Sequence, residues 1–152
     1  MPPQTLTESI WWISPGQLAG MQKPAVHELP SLQAAGIGAI VSVMDDPANL
    51  DWYQDAAMPH LWLPTTGGTA PTVKQVDDFW AFATAQLAAE RAVAVHCSSG
   101  RRRTATFLGA YLIRSGATYE AAIAAIAQAN PTVEMRAAQL DFLQSMAANT
   151  AV

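Results

Sequence analysis

An α/β domain with a central, mostly parallel sheet flanked by helices is the fold this sequence predicts, and three observations carry it. The runs IGAIVSVM at 37–44 and AVAVH at 92–96 are short, apolar and β-branched, as strands buried on both faces should be. They alternate with longer segments of helical spacing, which is the pattern of parallel strands joined by crossover helices. The last strand feeds a helix through a tight loop, on the side of the sheet where such folds bind ligands.

Taken in order, Ile10 to Gly20 reads as two short strands around the turn Pro15-Gly16. Ala25 to Ala35 has helical spacing and stops at Gly36. The strand Ile37 to Met44 ends at Asp45-Asp46-Pro47, a short helix follows around Ala48 to Ala57, and His60 to Pro64 is a further strand. Thr65 to Thr69 forms a loop with little to stiffen it. From Pro71 to Glu90, Val73, Val76, Phe79, Trp80, Ala83 and Leu87 mark one helical face, with Thr72 as N-cap. Ala92 to His96 is the strand that runs into Cys97. Three helices complete the chain: Thr104 to Ser115, ended by Gly116; Tyr119 to Ala129, capped by Thr118 and ended at Asn130-Pro131; and Thr132 to about Ala148.

The 152 residues contain no repeat and no composition shift, so one domain spanning 1–152 is expected. With 51% apolar and 13% charged residues, the chain has the composition of a packed globule rather than a disordered one. No apolar stretch approaches 18 residues, and no basic region precedes a hydrophobic run at the N-terminus. Those two features predict a cytoplasmic protein without a membrane span. The net charge of −4 argues against a general nucleic-acid surface, yet four of the eight basic residues fall between Arg101 and Arg114. One basic spot on an acidic protein points to a specific anion site. The five tryptophans are expected mostly in the core, with Trp52 and Tyr53 the pair best placed to line a cleft.

The single cysteine, Cys97, cannot form an internal disulfide, and beside His96 it is a candidate nucleophile. In His96-Cys97-Ser98-Ser99-Gly100-Arg101-Arg102-Arg103-Thr104, strand gives way to helix around a loop suited to a tetrahedral dianion. Backbone N–H groups from Ser98 to Arg103 would wrap a phosphate at the helix start, where unpaired N–H groups and the dipole favour negative charge. Gly100 lets the loop turn inward. The same field would ionise Cys97, Arg103 offers a planar fork for two phosphate oxygens, and Thr104 can donate to the sulfur as it departs. His96 is expected to order the loop rather than to shuttle protons.

This segment resembles the signature HCxxGxxR followed by Ser or Thr of the cysteine-based protein tyrosine and dual-specificity phosphatases. The resemblance extends to the small atypical dual-specificity phosphatases of the VHZ kind. Trp12 to Gly20 is similar to their WVxPGRLAG, Gly36 to Asp45 to their GVxxLVSLTE strand, and Asn130 to Glu134 to their RPGSIE segment. It implies a dual-specificity-phosphatase-like fold and phosphomonoester hydrolysis through a phosphocysteine, with no metal or organic cofactor. It also implies a phosphorylated protein or small phosphorylated molecule as substrate; the chain is expected to be a monomer.

Two departures stand out. Where that family ends a strand with Pro-Asp and uses the Asp to protonate the leaving oxygen, this chain has Pro64-Thr65. Threonine is no general acid near neutral pH, so a contribution of about 10² to 10⁴-fold is missing at this position. The substitutes to weigh are Asp45, Asp46 and Glu134; Asp77 and Asp78 fit better as surface charges. Second, Arg102 stands where the signature usually has Gly, next to Arg101. If both face the cleft, they favour substrates with more than one phosphate, such as inositol phosphates, phosphoinositides, polyphosphate ends or doubly phosphorylated peptides. The departures are connected through the leaving group. Aryl phosphates and phosphoanhydrides release weak bases and need little protonation, whereas phosphoserine needs an acid. Phosphotyrosine or pyrophosphate-type bonds are therefore expected over phosphoserine. The competing readings are a slow pseudo-phosphatase that only binds phosphate, and a rhodanese-like sulfur transferase, which the longer Cys-to-Arg spacing here disfavours.

Overall fold

The computed structural model describes residues 6–150. Five strands, β1 (Trp11–Ser14), β2 (Leu18–Met21), β3 (Ile37–Ser42), β4 (His60–Trp62) and β5 (Ala92–His96), form one sheet in the order β1-β2-β5-β3-β4. β1 pairs antiparallel with β2, and the remaining pairs are parallel, so the sheet is mixed but mostly parallel. Register brings Met21, His96, Ser42 and Trp62 into line across the four parallel strands. All four therefore deliver their following loops to one edge, with β5 in the middle.

Alternation along β5 sends Val93, Val95 and Cys97 to one side and Ala92 and Ala94 to the other. The first side packs under α4 (Val73–Ala88), α5 (Arg102–Arg114) and α6 (Tyr119–Ala129) through Phe79, Ala83, Phe107, Leu108 and Ile126. The second packs under α1 (Leu6–Ser9), α2 (Leu29–Ala34) and α3 (Leu50–Asp55) through Leu6, Leu29, Leu32 and Tyr53. α7 (Ala137–Thr150) packs on α5, where Leu143 and Met146 meet Ala110 and Ile113. The result is a helix–sheet–helix sandwich whose central helix, α5, is buried from Thr104 to Ala110.

Several boundaries move from their predicted positions for local reasons. Pro30 can enter only the first turn of a helix, so the 25–35 segment becomes a 3₁₀ turn at Val26–Glu28 followed by α2. Thr72 does cap α4, in a reciprocal box with Gln75, and Thr118 caps α6. The last helix begins at Ala137 and not at Thr132. Asn130 Oδ1 accepts from the Thr132 backbone N–H (3.1 Å) and hydroxyl (2.6 Å), and Gln139 Oε1 accepts from the Arg136 N–H (2.9 Å), so the chain stays open between them. The tryptophans also depart from expectation: Trp11 alone is buried, Trp12 and Trp80 are half-buried, and Trp52 and Trp62 are exposed. Among the described residues no helix is long and apolar enough to cross a membrane.

Candidate active site

The loop between β5 and α5 sits at the centre of the sheet edge, where every predicted residue from His96 to Thr104 is gathered. Cys97 is buried on the core side of β5, and its Sγ accepts a hydrogen bond from the Thr104 hydroxyl at 3.2 Å. Burial would push the thiol up. The Thr104 hydroxyl and the backbone N–H groups of Thr104, Arg101 and Gly100 converge on the sulfur and hold it below the ordinary thiol range. α5 starts at Arg102, two residues earlier than predicted, which aims the helix N-terminus at that sulfur.

The loop is braced from below by close packing and by hydrogen bonds, one of them buried. Gly100 has φ +74, and a Cβ there would collide with the Met21 carbonyl at the end of β2. Trp11 Nε1 donates to the Gly100 carbonyl at 2.9 Å, and Trp11 in turn lies over Gly20, where any Cβ would strike the indole. The Lys23 backbone N–H donates to the Ser98 carbonyl at 3.2 Å.

His96 is fully buried on the opposite side of the sheet. Asn49 Nδ2 donates both to the Pro24 carbonyl (2.8 Å) and to Tyr53 Oη (3.1 Å). His96 Nδ1 faces the Cys97 carbonyl at 3.3 Å, which can only accept, so Nδ1 carries the proton of the neutral ring and Nε2 accepts from the Tyr53 hydroxyl at 2.7 Å. Burial, with the charges of Lys23 and Arg103, lowers the imidazole to about 4 against the pull of the Cys97 carbonyl, so His96 is neutral near pH 7. Burial pushes the Tyr53 phenol well above its usual value, and it too stays neutral. Tyr53 therefore lines no cleft, contrary to the sequence expectation for the Trp52-Tyr53 pair; it is wholly buried beneath the loop, while Trp52 faces outward.

Above the loop lies a cleft of about 320 Å³ lined by Cys97, Arg101, Arg102, Arg103, Glu134 and the Gly67-Gly68 pair, among others. Arg103 is 13% exposed; its Nη1 donates to the Thr65 carbonyl at 2.9 Å and lies 3.9 Å from Asp45 Oδ1, and its Nη2 donates to Ser98 Oγ at 3.4 Å. The guanidinium is thus oriented from two sides before any ligand arrives. Thr65 is buried and donates its hydroxyl to the Leu63 carbonyl, so it serves the site through its backbone alone. Arg102 Nε donates to the Glu134 carbonyl at 2.8 Å. Both Arg101 and Arg102 line the cleft.

Of the carboxylates weighed as acids, Glu134 reaches the cleft wall. Asp45 stands beside Arg103, and Asp46 Oδ1 accepts from the Ala48 N–H at 2.9 Å, the turn-capping role. Asp77 and Asp78 pair with Arg114 (3.5 Å) and Lys74 (2.9 Å) on the surface. Sequence reasoning missed Trp11, Asn49 and Tyr53 as braces of the loop, and Arg136 near its rim. The alternation of Trp11 and Ile13 on β1 was a signal that Trp11 faces inward; nothing local pointed to Tyr53.

Comparison with known proteins gives the same architecture. Tk-PTP in its active form is 25% identical, with a TM-score of 0.84 over 92% of this chain and 97% of that one. PTPMT1 is 24% identical (TM-score 0.82, 92% and 94% covered), and human DUSP28 is 22% identical (TM-score 0.80, 100% and 98% covered). No curated protein matches the sequence. The family model described as Swiss Army Knife protein, DSP-PTPase phosphatase domain, matches residues 7–151. With nearly the whole chain inside that match, and the sheet and loop disposed as described, this protein belongs to the DSP-PTPase phosphatase domain family, within the small atypical dual-specificity phosphatases of the cysteine-based superfamily.

Proposed function

We propose that this chain hydrolyses phosphomonoesters through a covalent phosphocysteine at Cys97. Cys97 Sγ attacks phosphorus in line, the loop N–H groups from Ser98 to Arg103 and the Arg103 fork hold the equatorial oxygens, and the leaving oxygen departs toward the cleft mouth. Water then cleaves the S–P bond, and Thr104 donates to the sulfur as it leaves. The observation that carries this reading is the Cys97 sulfur accepting from the Thr104 hydroxyl at 3.2 Å, with three backbone N–H groups converging on it and lowering its pKa. His96 orders the loop and exchanges no proton in the reaction.

Substrate preference follows from the leaving group. Thr65 supplies no proton, so esters of weakly basic alcohols, phosphotyrosine foremost, are favoured over phosphoserine. Glu134, on the cleft wall, is the carboxyl group best placed to assist where an acid is needed. A second reading, a slow pseudo-phosphatase that holds phosphate without turning it over, is motivated by Thr65; the depressed Cys97 thiol speaks against it, because a binder gains nothing from an oxidisable thiolate.

The test is para-nitrophenyl phosphate hydrolysis by the wild type and by Cys97→Ser. Turnover by the wild type alone is expected; equal background rates contradict thiolate catalysis. A phosphotyrosine peptide is expected to outrun its phosphoserine counterpart, and the reverse order contradicts the leaving-group argument.

A further inference from the structure

The eight basic residues of this acidic chain divide into two groups. Three lie away from the cleft and are engaged: Lys74 with Asp78, Arg114 with Asp77, and Arg91, which donates to Gln86 at 3.4 Å. Of the other five, Arg101, Arg102, Arg103 and Arg136 line the cleft and the cavity beside it, and Lys23 binds the Ser98 carbonyl of the loop through its backbone N–H. Among the described residues, neither Arg101 nor Arg136 has an ion-pair or hydrogen-bond partner for its guanidinium. Unpaired like charges crowded together repel one another unless an anion joins them.

A second cavity of about 450 Å³ adjoins the first, sharing Gly67, Gly68 and Arg102 with it and adding Thr69 and Arg136. No carboxylate lines it, whereas the groove on the other flank of the loop, beside Arg101, carries Glu8. Its geometry is fixed from below by the fully buried Gln139. That side chain accepts from the Arg136 N–H at 2.9 Å and donates to the Thr69 carbonyl at 3.3 Å, tying the start of α7 to the 67–69 loop.

We propose that Arg102 and Arg136 form a second anion subsite that holds the leaving phosphate of a diphosphate, so that the enzyme cleaves a terminal phosphoanhydride bond. This deepens the reading above and rests on Cys97 as nucleophile. Because Arg102 borders both cavities, the two anions are close neighbours, which suits phosphates joined by one bridging oxygen better than two phosphorylated residues of a peptide. The same class of substrate removes the need for the acid that Thr65 cannot supply, since a phosphate leaves as a weak base and an alkoxide does not.

The step balances without a co-reactant other than water. The thiolate forms an S–P bond to the terminal phosphorus, the bridging P–O bond breaks, and its electron pair stays on the departing phosphate held by Arg102 and Arg136. Water then forms a P–O bond to the phosphocysteine, the S–P electron pair returns to Cys97, and the proton leaves with orthophosphate or solvent.

The experiment measures inhibition of para-nitrophenyl phosphate turnover by methylenediphosphonate and by methylphosphonate, with chelator present, and hydrolysis of inorganic pyrophosphate, of a phosphoserine peptide and of a doubly phosphorylated peptide. Methylenediphosphonate is expected to inhibit about tenfold more strongly than methylphosphonate, equivalent to about 1.4 kcal/mol. Pyrophosphate is expected to turn over faster than phosphoserine. Arg136→Gln, a change to an exposed and unpaired side chain, should erase most of the inhibitor ratio, and Arg91→Gln should leave it as in the wild type. Equal inhibition by the two compounds, a ratio unaltered in Arg136→Gln, or faster turnover of phosphoserine or of a doubly phosphorylated peptide overturns the proposal. If para-nitrophenyl phosphate turnover still depends on Cys97 in those cases, the second subsite alone fails; if it does not depend on Cys97, both readings fail.

Discussion

At the floor of the cleft, the 96–100 segment hangs from Tyr53 and Trp11 by hydrogen bonds sealed from water and packs its Gly100 against the end of β2. At its rim, Thr66 to Thr69, Arg101, Arg102, Glu134 and Arg136 lie at the surface, Gly68 being the only one of them that is half-buried. Buried hydrogen bonds are unforgiving, because a partner removed leaves a desolvated group behind, and among the described residues no buried side-chain N or O is left unsatisfied. Exposed charges are individually weak and screened by salt. Under the proposed mechanism the contrast separates two tasks: the floor sets the geometry in which a thiolate attacks phosphorus, and the rim selects the anion that reaches it.

Arg103 spans the two regions, and its replacement probes the contrast most severely. Arg103→Lys keeps the charge but loses the planar fork that meets Thr65 and Ser98. A fall in kcat/KM on the order of 10² to 10³-fold toward para-nitrophenyl phosphate is expected. Near-normal turnover would mean that charge at the rim suffices and that the braced geometry does not matter.

The next effect is on stability and belongs to the floor. His96 titrates at about 4 in the fold against 6.5 in an unfolded chain, so between those values the unfolded state binds the extra proton. The stabilisation is complete above pH 6.5 and is lost as pH falls toward 4, by about 3 kcal/mol. Urea midpoints measured across that range should fall in the wild type and fall less steeply in His96→Asn. A flat wild-type profile would show that the imidazole is not held neutral.

Tyr53→Phe removes the hydroxyl that joins Asn49 to His96 and is expected to cost about 2 kcal/mol, with kcat lowered more than KM is raised. Trp11→Phe removes the bond to the Gly100 carbonyl, with an expected cost of about 1 kcal/mol. Chemical denaturation reads both. If either change instead alters substrate preference with stability intact, the division between floor and rim is wrong.

Much of this was legible along the chain because the forces involved are local. β5 falls where Ala92 to His96 is buried on both faces, and α6 starts where Thr118 caps it. The loop from His96 to Thr104 was legible because its motif is contiguous in the sequence. The braces were not, since the hydrogen bond from Tyr53 to His96 joins residues 43 apart and depends on how α3 seats under the sheet. The start of α7 was misplaced because side-chain bonds from Asn130 and Gln139 outcompete helix propensity between them. Arg136 gained meaning only when the fold set it beside the 67–69 loop.

The central claim is that phosphate passes through Cys97, and rapid acid quench during turnover followed by peptide mass spectrometry tests it most directly. The account predicts phosphate on the peptide carrying Cys97 in the wild type and none in Cys97→Ser. Steady turnover with no phosphate ever found on Cys97, or phosphate found on another residue instead, would contradict it.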